Sequence, residues 1–169
     1  MPMRRLCITL LCGLVAVPAA VAATRATGDG VLELNQVNGV VAVSGTRGAL
    51  WGQVESGKVV LTDPIAGDGD LLVSGCEKKV PGLSDHTTIC TGTNIHFRST
   101  GGKYRLWFNG TGIDFTAVGV GKASLTGNIL ADDTGDYALD GGKWISVGWK
   151  PLSITFGVQP PPATSPTSP

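Results

Sequence analysis

The sequence has few of the residues that usually carry chemistry or strong charge. Among its 169 residues two are His and four are Cys, charged residues make up 15%, and Lys plus Arg equal Asp plus Glu at 13 each. A formal charge of zero argues against nucleic acid as the main ligand and against an acidic disordered chain. No phosphate-loop or serine-nucleophile motif is present, and we expect no cofactor.

What the sequence does contain is glycine and short apolar runs. It has 25 Gly, and hydrophobic residues make up 42% of the chain, which is enough for a packed core. Glycine-centred breaks separate the apolar runs about every 8–12 residues, a spacing typical of an all-β domain. We predict one antiparallel β domain over residues 27–157, built as a hairpin-rich sandwich or squat barrel. A Pro/Ser/Thr-rich tail over residues 158–169 is expected to be disordered.

The first residues have the pattern of a secretory signal peptide. Two arginines precede an apolar run over residues 6–17, and small residues follow over 19–23. The run has about 12 residues, short of the roughly 20 that span a bilayer. We predict that residues 1–22 are cleaved and that the product is secreted or extracytoplasmic, without a transmembrane segment. A lipid anchor at Cys12 is the less favoured alternative, because Leu11 stands where a small residue is expected.

Cleavage would leave two cysteines, Cys76 and Cys90. In an oxidising compartment such a pair indicates a disulfide, and two cysteines allow one connectivity. The bridge would close a loop of about 15 residues, worth roughly 3 kcal/mol in the chain-entropy treatment. The competing interpretation is a metal site formed by both cysteines with His86 and His96, but its spacing matches no common zinc module. We predict the disulfide and no metal.

Glycine-containing dipeptides predict where the strands turn. Five of them match tight hairpin turns, in which one or both central residues need positive φ: Asn38-Gly39, Ser56-Gly57, Gly101-Gly102, Asn109-Gly110 and Gly141-Gly142. Two-residue turns at the third and fourth pairs would align Phe97 with Leu106 and Leu106 with Ile113. Both turns would also place Tyr104, Leu106 and Phe108 on one face of the sheet.

The domain is also similar to itself. Residues 48–62 align with residues 112–126 at an offset of 64, with six identities in fifteen positions. Weaker similarity on both sides predicts two tandem copies, over about 31–75 and 94–141. Two copies are too few for a solenoid, which generally needs three or more, and this favours a pseudo-symmetric sandwich or barrel.

The alternating pattern predicts a core and leaves the tryptophans to be placed. We expect ten residues to be buried together: Leu32, Leu34, Val41, Val43, Phe97, Leu106, Ile113, Phe115, Leu125 and Leu139. Trp144 and Trp149 are expected to fill the core near one end. The direction of Trp51 depends on the turn at Ser56-Gly57, because a two-residue loop would place it outward and a three-residue loop inward.

Two stretches carry a resemblance to other proteins. Residues 110–121 (GTGIDFTAVGVG) and 135–144 (GDYALDGGKW), with the layout of the mature chain, resemble uncharacterised exported β-rich proteins of bacteria. The motifs consist mainly of turn and core positions. The resemblance therefore implies a fold and no assigned activity.

Acidic residues cluster at two corresponding places, which raises calcium and hydrolysis as alternatives. The clusters are Asp63, Asp68 and Asp70, and Asp132, Asp133 and Asp136. Asp beside Gly is typical of tight turns, and neither cluster has EF-hand spacing, so we favour turns over calcium. Two carboxylates could cleave a glycosidic bond, but no pair stands out. We expect no catalytic residue and a binding or structural role, with a small glycan-active hydrolase as the alternative.

One face of the predicted hairpin at Gly101-Gly102 offers a candidate binding site. That register would set three pairs opposite each other: His96 and Trp107, Arg98 and Arg105, Thr100 and Lys103. Opposed like charges destabilise a sheet, and Asp114 on the next strand would neutralise Arg105. The remaining cations around an exposed indole suit a cell-wall glycan or an anionic polymer. We therefore predict a weak ligand site formed by His96, Arg98, Lys103, Arg105 and Trp107.

Overall fold

The structure is a computed structural model that describes residues 25–84 and 86–158. In this part of the chain there are eight strands and no helix, so none that could cross a membrane. The strands are β1 (Gly30–Thr62), β2 (Gly69–Ser74), β3 (Lys78–Pro81), β4 (Thr87–Gly101), β5 (Tyr104–Gly127), β6 (Asp136–Leu139), β7 (Ile145–Ser146) and β8 (Leu152–Phe156). The predicted signal peptide and the predicted tail beyond residue 158 lie outside the described residues.

The strands form one antiparallel sheet. Its main order is β2-β4-β1-β5-β8, with β3 paired to β4, β6 to β1 and β7 to β6. The predicted antiparallel all-β class is confirmed. Over the described residues the sheet is not closed into a barrel, because β2, β3, β7 and β8 end it on either side.

The long strands β1 and β5 wind around each other. Residues 39–45 of β1 pair with residues 104–110 of β5 on one side and with residues 121–127 on the other. Leu106 correspondingly pairs with both Val43 and Leu61, which lie 18 residues apart. The two strands are therefore interleaved antiparallel coils in which β1 returns to the same partner after about 18 residues.

Winding folds the sheet over on itself into two layers, which we call A and B. Layer A contains β2, β6 and β7 and the stretches 93–101, 48–54, 113–119 and 30–37. Layer B contains β3 and β8 and the stretches 87–92, 57–62, 104–110, 39–45 and 121–127. β1, β4 and β5 each pass from one layer to the other at corners.

Glycine lines the corner between the layers. Paired glycines form a row across five strand passes: Gly92, Gly57, Gly110, Gly39 and Gly127. At Gly57 φ is 153°, and a methyl group there would overlap the carbonyl oxygen of Asn109 on the paired strand. Only glycine combines this φ with so close an approach. Three predicted hairpin turns, at Asn38-Gly39, Ser56-Gly57 and Asn109-Gly110, are these corners within continuous strands, and the hairpin prediction is wrong there.

The other two glycine pairs differ from each other. Gly101-Gly102 connects β4 in layer A to β5 in layer B, so Phe97 pairs with Gly52 and Val73. The predicted pairing of Phe97 with Leu106 is wrong. Gly141-Gly142 lies between β6 and β7, which pair antiparallel as a hairpin should.

Inward side chains of both layers form the core. The ring centroid of Phe97 in layer A lies 4.7 Å from that of Phe108 in layer B, and Phe108 lies 5.8 Å from Phe115. Nine of the ten predicted core residues are buried, and Leu139 is half-buried against them. The core prediction succeeds although the register fails, because alternation fixes which side chains point inward whichever strand lies alongside.

The predicted disulfide is present. The sulfur atoms of Cys76, between β2 and β3, and Cys90, in β4, are 2.03 Å apart. Cys90 is fully buried in the core. Both thiols are used by this bridge, so the alternative metal site with His86 and His96 is not formed. A disulfide is compatible with an extracytoplasmic protein.

The two predicted tandem copies lie side by side. Residues 48–62 and 112–126 each make one pass in layer A and one in layer B, and they run antiparallel to each other. Their similarity thus coincides with the same order of layers. A duplication remains a prediction, since the repeat in the pairing itself is the 18-residue turn of the coil.

Candidate functional site

The five residues of the predicted site lie on two different surfaces. His96 and Arg98 are on the outer face of layer A, where Arg98 pairs with Trp51 and Leu72. Arg105 and Trp107 are on the outer face of layer B. The predicted pairs of His96 with Trp107 and of Arg98 with Arg105 are therefore not formed. The reason is that the Gly101-Gly102 connection crosses between layers.

Lys103 and Asp114 also differ from their predicted positions. Lys103 lies in the connection itself, where its backbone N–H donates to a carboxylate oxygen of Asp68 at 2.9 Å. Asp114 is in layer A, away from Arg105, so the predicted ion pair is wrong. Its carboxylate accepts hydrogen bonds from the backbone N–H and the Nε2 of Gln36, at 2.6 and 2.7 Å, and from Nε2 of Gln53 at 3.3 Å.

A transverse row of outward side chains organises the outer face of layer A. Successive pairings across the strands give the order Leu72, Arg98, Trp51, Thr116, Glu33 and Ala138. β6 pairs Tyr137 with Ile145, so Trp144 adjoins Ala138 at the end of the row. The row thus has one indole near each end and small or polar side chains between.

The two indoles bound a groove, which we call the layer A groove. Trp51 is 39% exposed and Trp144 is 52% exposed. Four strand spacings separate them, which is about 19 Å. The groove has a volume of about 620 Å³. Its polar lining comes from Glu33, Asn35, Gln53, His96, Arg98, Asp114 and Thr116.

This position of the tryptophans corrects two predictions and settles a third. Trp144 and Trp149, expected in the core, are both exposed, Trp149 by 60%. Both follow the short strands at the end of the chain, which leave the core already filled by residues of the long strands. Trp51 points outward, because Ser56-Gly57 is a corner of β1 and places Leu50 inward instead.

The groove can offer both stacking and hydrogen bonding. Indole rings present flat apolar faces, while the amides of Asn35 and Gln53 donate and accept. Charges of both signs are present, Arg98 on one side and Glu33 and Asp114 on the other. Among the described residues the ion pairs are Arg25–Asp140 and Arg47–Asp29, so the charged groups of the groove are not paired with one another.

The acidic clusters belong to turns. Asp63 accepts a hydrogen bond from the backbone of Ile65, and Asp133 accepts one from the backbone of Gly135. Asp136 accepts one from the hydroxyl of Ser146 at 2.8 Å. Within the described ranges no group of three or more His, Cys, Asp or Glu is placed to hold a metal ion. The turn interpretation accounts for these residues.

Sequence reasoning missed Trp51, Glu33, Thr116 and Trp144 as partners of Arg98. They come from four separate stretches of the chain that only the winding brings into one row. A signal was available: glycines stand at positions 39, 57 and 75 and at 30 and 48, each 18 residues from the next.

Comparison with protein-family models, with curated proteins and with solved structures finds no match to this chain.

Proposed function

We propose that the protein is an exported, non-enzymatic glycan-binding domain whose site is the layer A groove. The observation that carries the proposal is the pair of exposed indoles, Trp51 and Trp144, at the two ends of one polar row. Sugars present apolar ring faces and a rim of hydroxyl groups. Flat aromatic faces with amide and carboxylate groups between them provide complementary stacking and hydrogen bonding.

The charge of the groove favours a neutral ligand at this site. Arg98 and His96 lie beside Trp51, but Glu33 and Asp114 occupy the neighbouring positions. A polyanion would meet carboxylates along half of the groove. We therefore assign the layer A groove to a neutral or weakly charged glycan of the cell envelope or its surroundings.

Export fits this role. The chain begins with the pattern of a signal peptide, and the Cys76–Cys90 bridge is compatible with an oxidising compartment. Glycans of the envelope are reached only by a protein that leaves the cytoplasm. We propose a secreted or envelope-associated location on these two grounds.

A glycan-active hydrolase is the alternative class, and Glu33 with Asp114 is the pair that it would use. Glu33 pairs with Thr116, two residues from Asp114, so the two carboxylates are diagonal neighbours about 7–8 Å apart. That spacing lies in the range of inverting enzymes. However, Asp114 accepts three hydrogen bonds from Gln36 and Gln53. This supports a role in holding the corner of β1 rather than in activating water.

Calorimetric titration with neutral oligosaccharides tests the proposal. We expect the wild type to bind a series of β-1,4-linked glucose or N-acetylglucosamine oligomers. Trp51→Ala should weaken binding at least about tenfold, since stacking on an aromatic side chain is worth about 1–3 kcal/mol. Binding should change little between low and high salt, because screening acts on charges.

Trp149→Ala is the matched control. Trp149 is more exposed than Trp51 and lies outside the groove, so its replacement should leave affinity within about twofold. The proposal fails if the wild type binds no neutral oligomer, or if both variants lose affinity equally. Release of reducing sugar during the titration would favour the hydrolase.

A further inference from the structure

The outer face of layer B is chemically unlike that of layer A. Its outward strand positions carry four cations, Lys58, Lys78, Arg105 and Lys122, and no Asp or Glu. The layer A groove has carboxylates among its lining residues, whereas this face has none. We propose that the outer face of layer B is a second site, which binds an acidic polysaccharide.

Two cations flank a floor of small side chains. Pairings across the strands give a row in which Ser44 lies between Arg105 and Lys122, with Thr62 and Thr155 at its ends. Arg105 and Lys122 are two strand spacings apart, which is about 10 Å. Both side chains are exposed, and neither forms an ion pair within the described residues. Their positive charge is therefore available to a ligand.

The floor between them is a groove, which we call the layer B groove. Its volume is about 640 Å³, and its lining includes Arg105, Trp107 and Lys122. Hydroxyl groups of Ser44, Thr62, Ser124, Ser153 and Thr155 complete the polar part. A carboxylate or sulfate on a sugar could accept hydrogen bonds from these hydroxyls while lying between two positive charges.

Trp107 adds a stacking surface beside the cations. Its indole occupies the row next to Arg105, paired with Val60 and Ala42. The Nζ of Lys58 lies 6.0 Å from the centroid of the indole ring. A sugar ring stacked on Trp107 would place its substituents between Lys58 and Arg105. This arrangement fits a polymer that has both rings and negative charges.

An acidic polysaccharide uses more of this surface than other polyanions would. The cations lie on three rows of a nearly flat sheet face, with Trp107 in the middle row. Sugars contribute a ring face for the indole and hydroxyl groups for the serine and threonine floor. Clustered cations without acids destabilise a sheet, and a bound polyanion would relieve this repulsion.

Affinity for polygalacturonate, measured by biolayer interferometry, tests this assignment. We expect the wild type to bind at low ionic strength and binding to weaken as salt is raised, because the contacts are ionic. Arg105→Ala combined with Lys122→Ala should reduce affinity at least about tenfold. The same double variant should bind neutral oligosaccharides as the wild type does, so failure of this site and failure of the layer A groove can be told apart.

The control removes the same charge elsewhere. Lys143 and Lys150 are exposed and lie outside both grooves, so Lys143→Ala combined with Lys150→Ala should keep affinity within about twofold. Equal losses in the two double variants would overturn the proposal, as would absence of binding by the wild type. Tighter binding of duplex DNA or of vesicles containing anionic lipid than of polygalacturonate would also overturn it.

Discussion

Replacing Gly57 by Val should destabilise the domain by more than about 3 kcal/mol. Gly57 has a φ of 153°, and a side chain there would overlap the carbonyl oxygen of Asn109 and the Cα of Gly110 on the paired strand. Strained backbone costs about 1–3 kcal/mol and overpacking costs a similar amount. The sum is a large part of the 5–15 kcal/mol by which domains are stable, and urea unfolding would measure it.

Gly148→Val is the matched control for this prediction. Gly148 is exposed, has no positive φ, and a Cβ atom there would meet nothing closer than 3.9 Å. We expect its unfolding free energy to stay within about 0.5 kcal/mol of the wild type. A Gly57→Val protein as stable as Gly148→Val would show that β1 does not bend at this corner.

Replacing Phe115 by Ala should cost about 3–5 kcal/mol of unfolding free energy. Phe115 is 3% exposed and completes an aromatic cluster across the two layers. Its ring centroid lies 5.8 Å from that of Phe108 and 6.5 Å from that of Phe97. Removing the ring leaves a cavity that rigid neighbouring strands cannot fill.

Thr111→Ala provides the comparison, because Thr111 is an exposed residue of the same strand. It should change stability by no more than about 0.5 kcal/mol. Chemical denaturation of the three proteins under identical conditions gives the difference. A loss below about 1 kcal/mol for Phe115→Ala would mean that the layers do not meet at this cluster.

The sequence is sufficient for the fold class and for most of the core. Alternation along a strand depends only on local geometry, so Leu32, Phe97 and Phe115 were expected inside and are inside. The disulfide followed from composition, because two cysteines allow one pairing. Neither prediction required knowledge of which strands are neighbours.

Strand pairing was not predictable from the same local signals. Asn38-Gly39 and Asn109-Gly110 have the composition of hairpin turns, but the same glycines also allow a continuous strand to bend and another backbone to approach. The choice depends on partners far away in the sequence: Gly39 pairs with both Gly110 and Gly127. The 18-residue spacing of glycines records that winding, whereas single dipeptides do not.

The candidate site could be predicted by residue type but not by grouping. Arg98, His96, Arg105 and Trp107 were correctly assigned to outward positions, yet one wrong connection at Gly101-Gly102 placed them on one face. The structure separates them into a groove with mixed charge and a groove with only positive charge. This separation is why we assign two ligand chemistries rather than one.

The most direct test of the account is an NMR titration of the indole N–H signals with a neutral oligosaccharide. The chain has four tryptophans, so four indole signals report on both grooves and on the control position at once. We predict that the signals of Trp51 and Trp144 shift progressively, while those of Trp107 and Trp149 stay in place. Shifts confined to Trp107 or Trp149, or no shift of any of the four signals, would contradict glycan binding in the layer A groove.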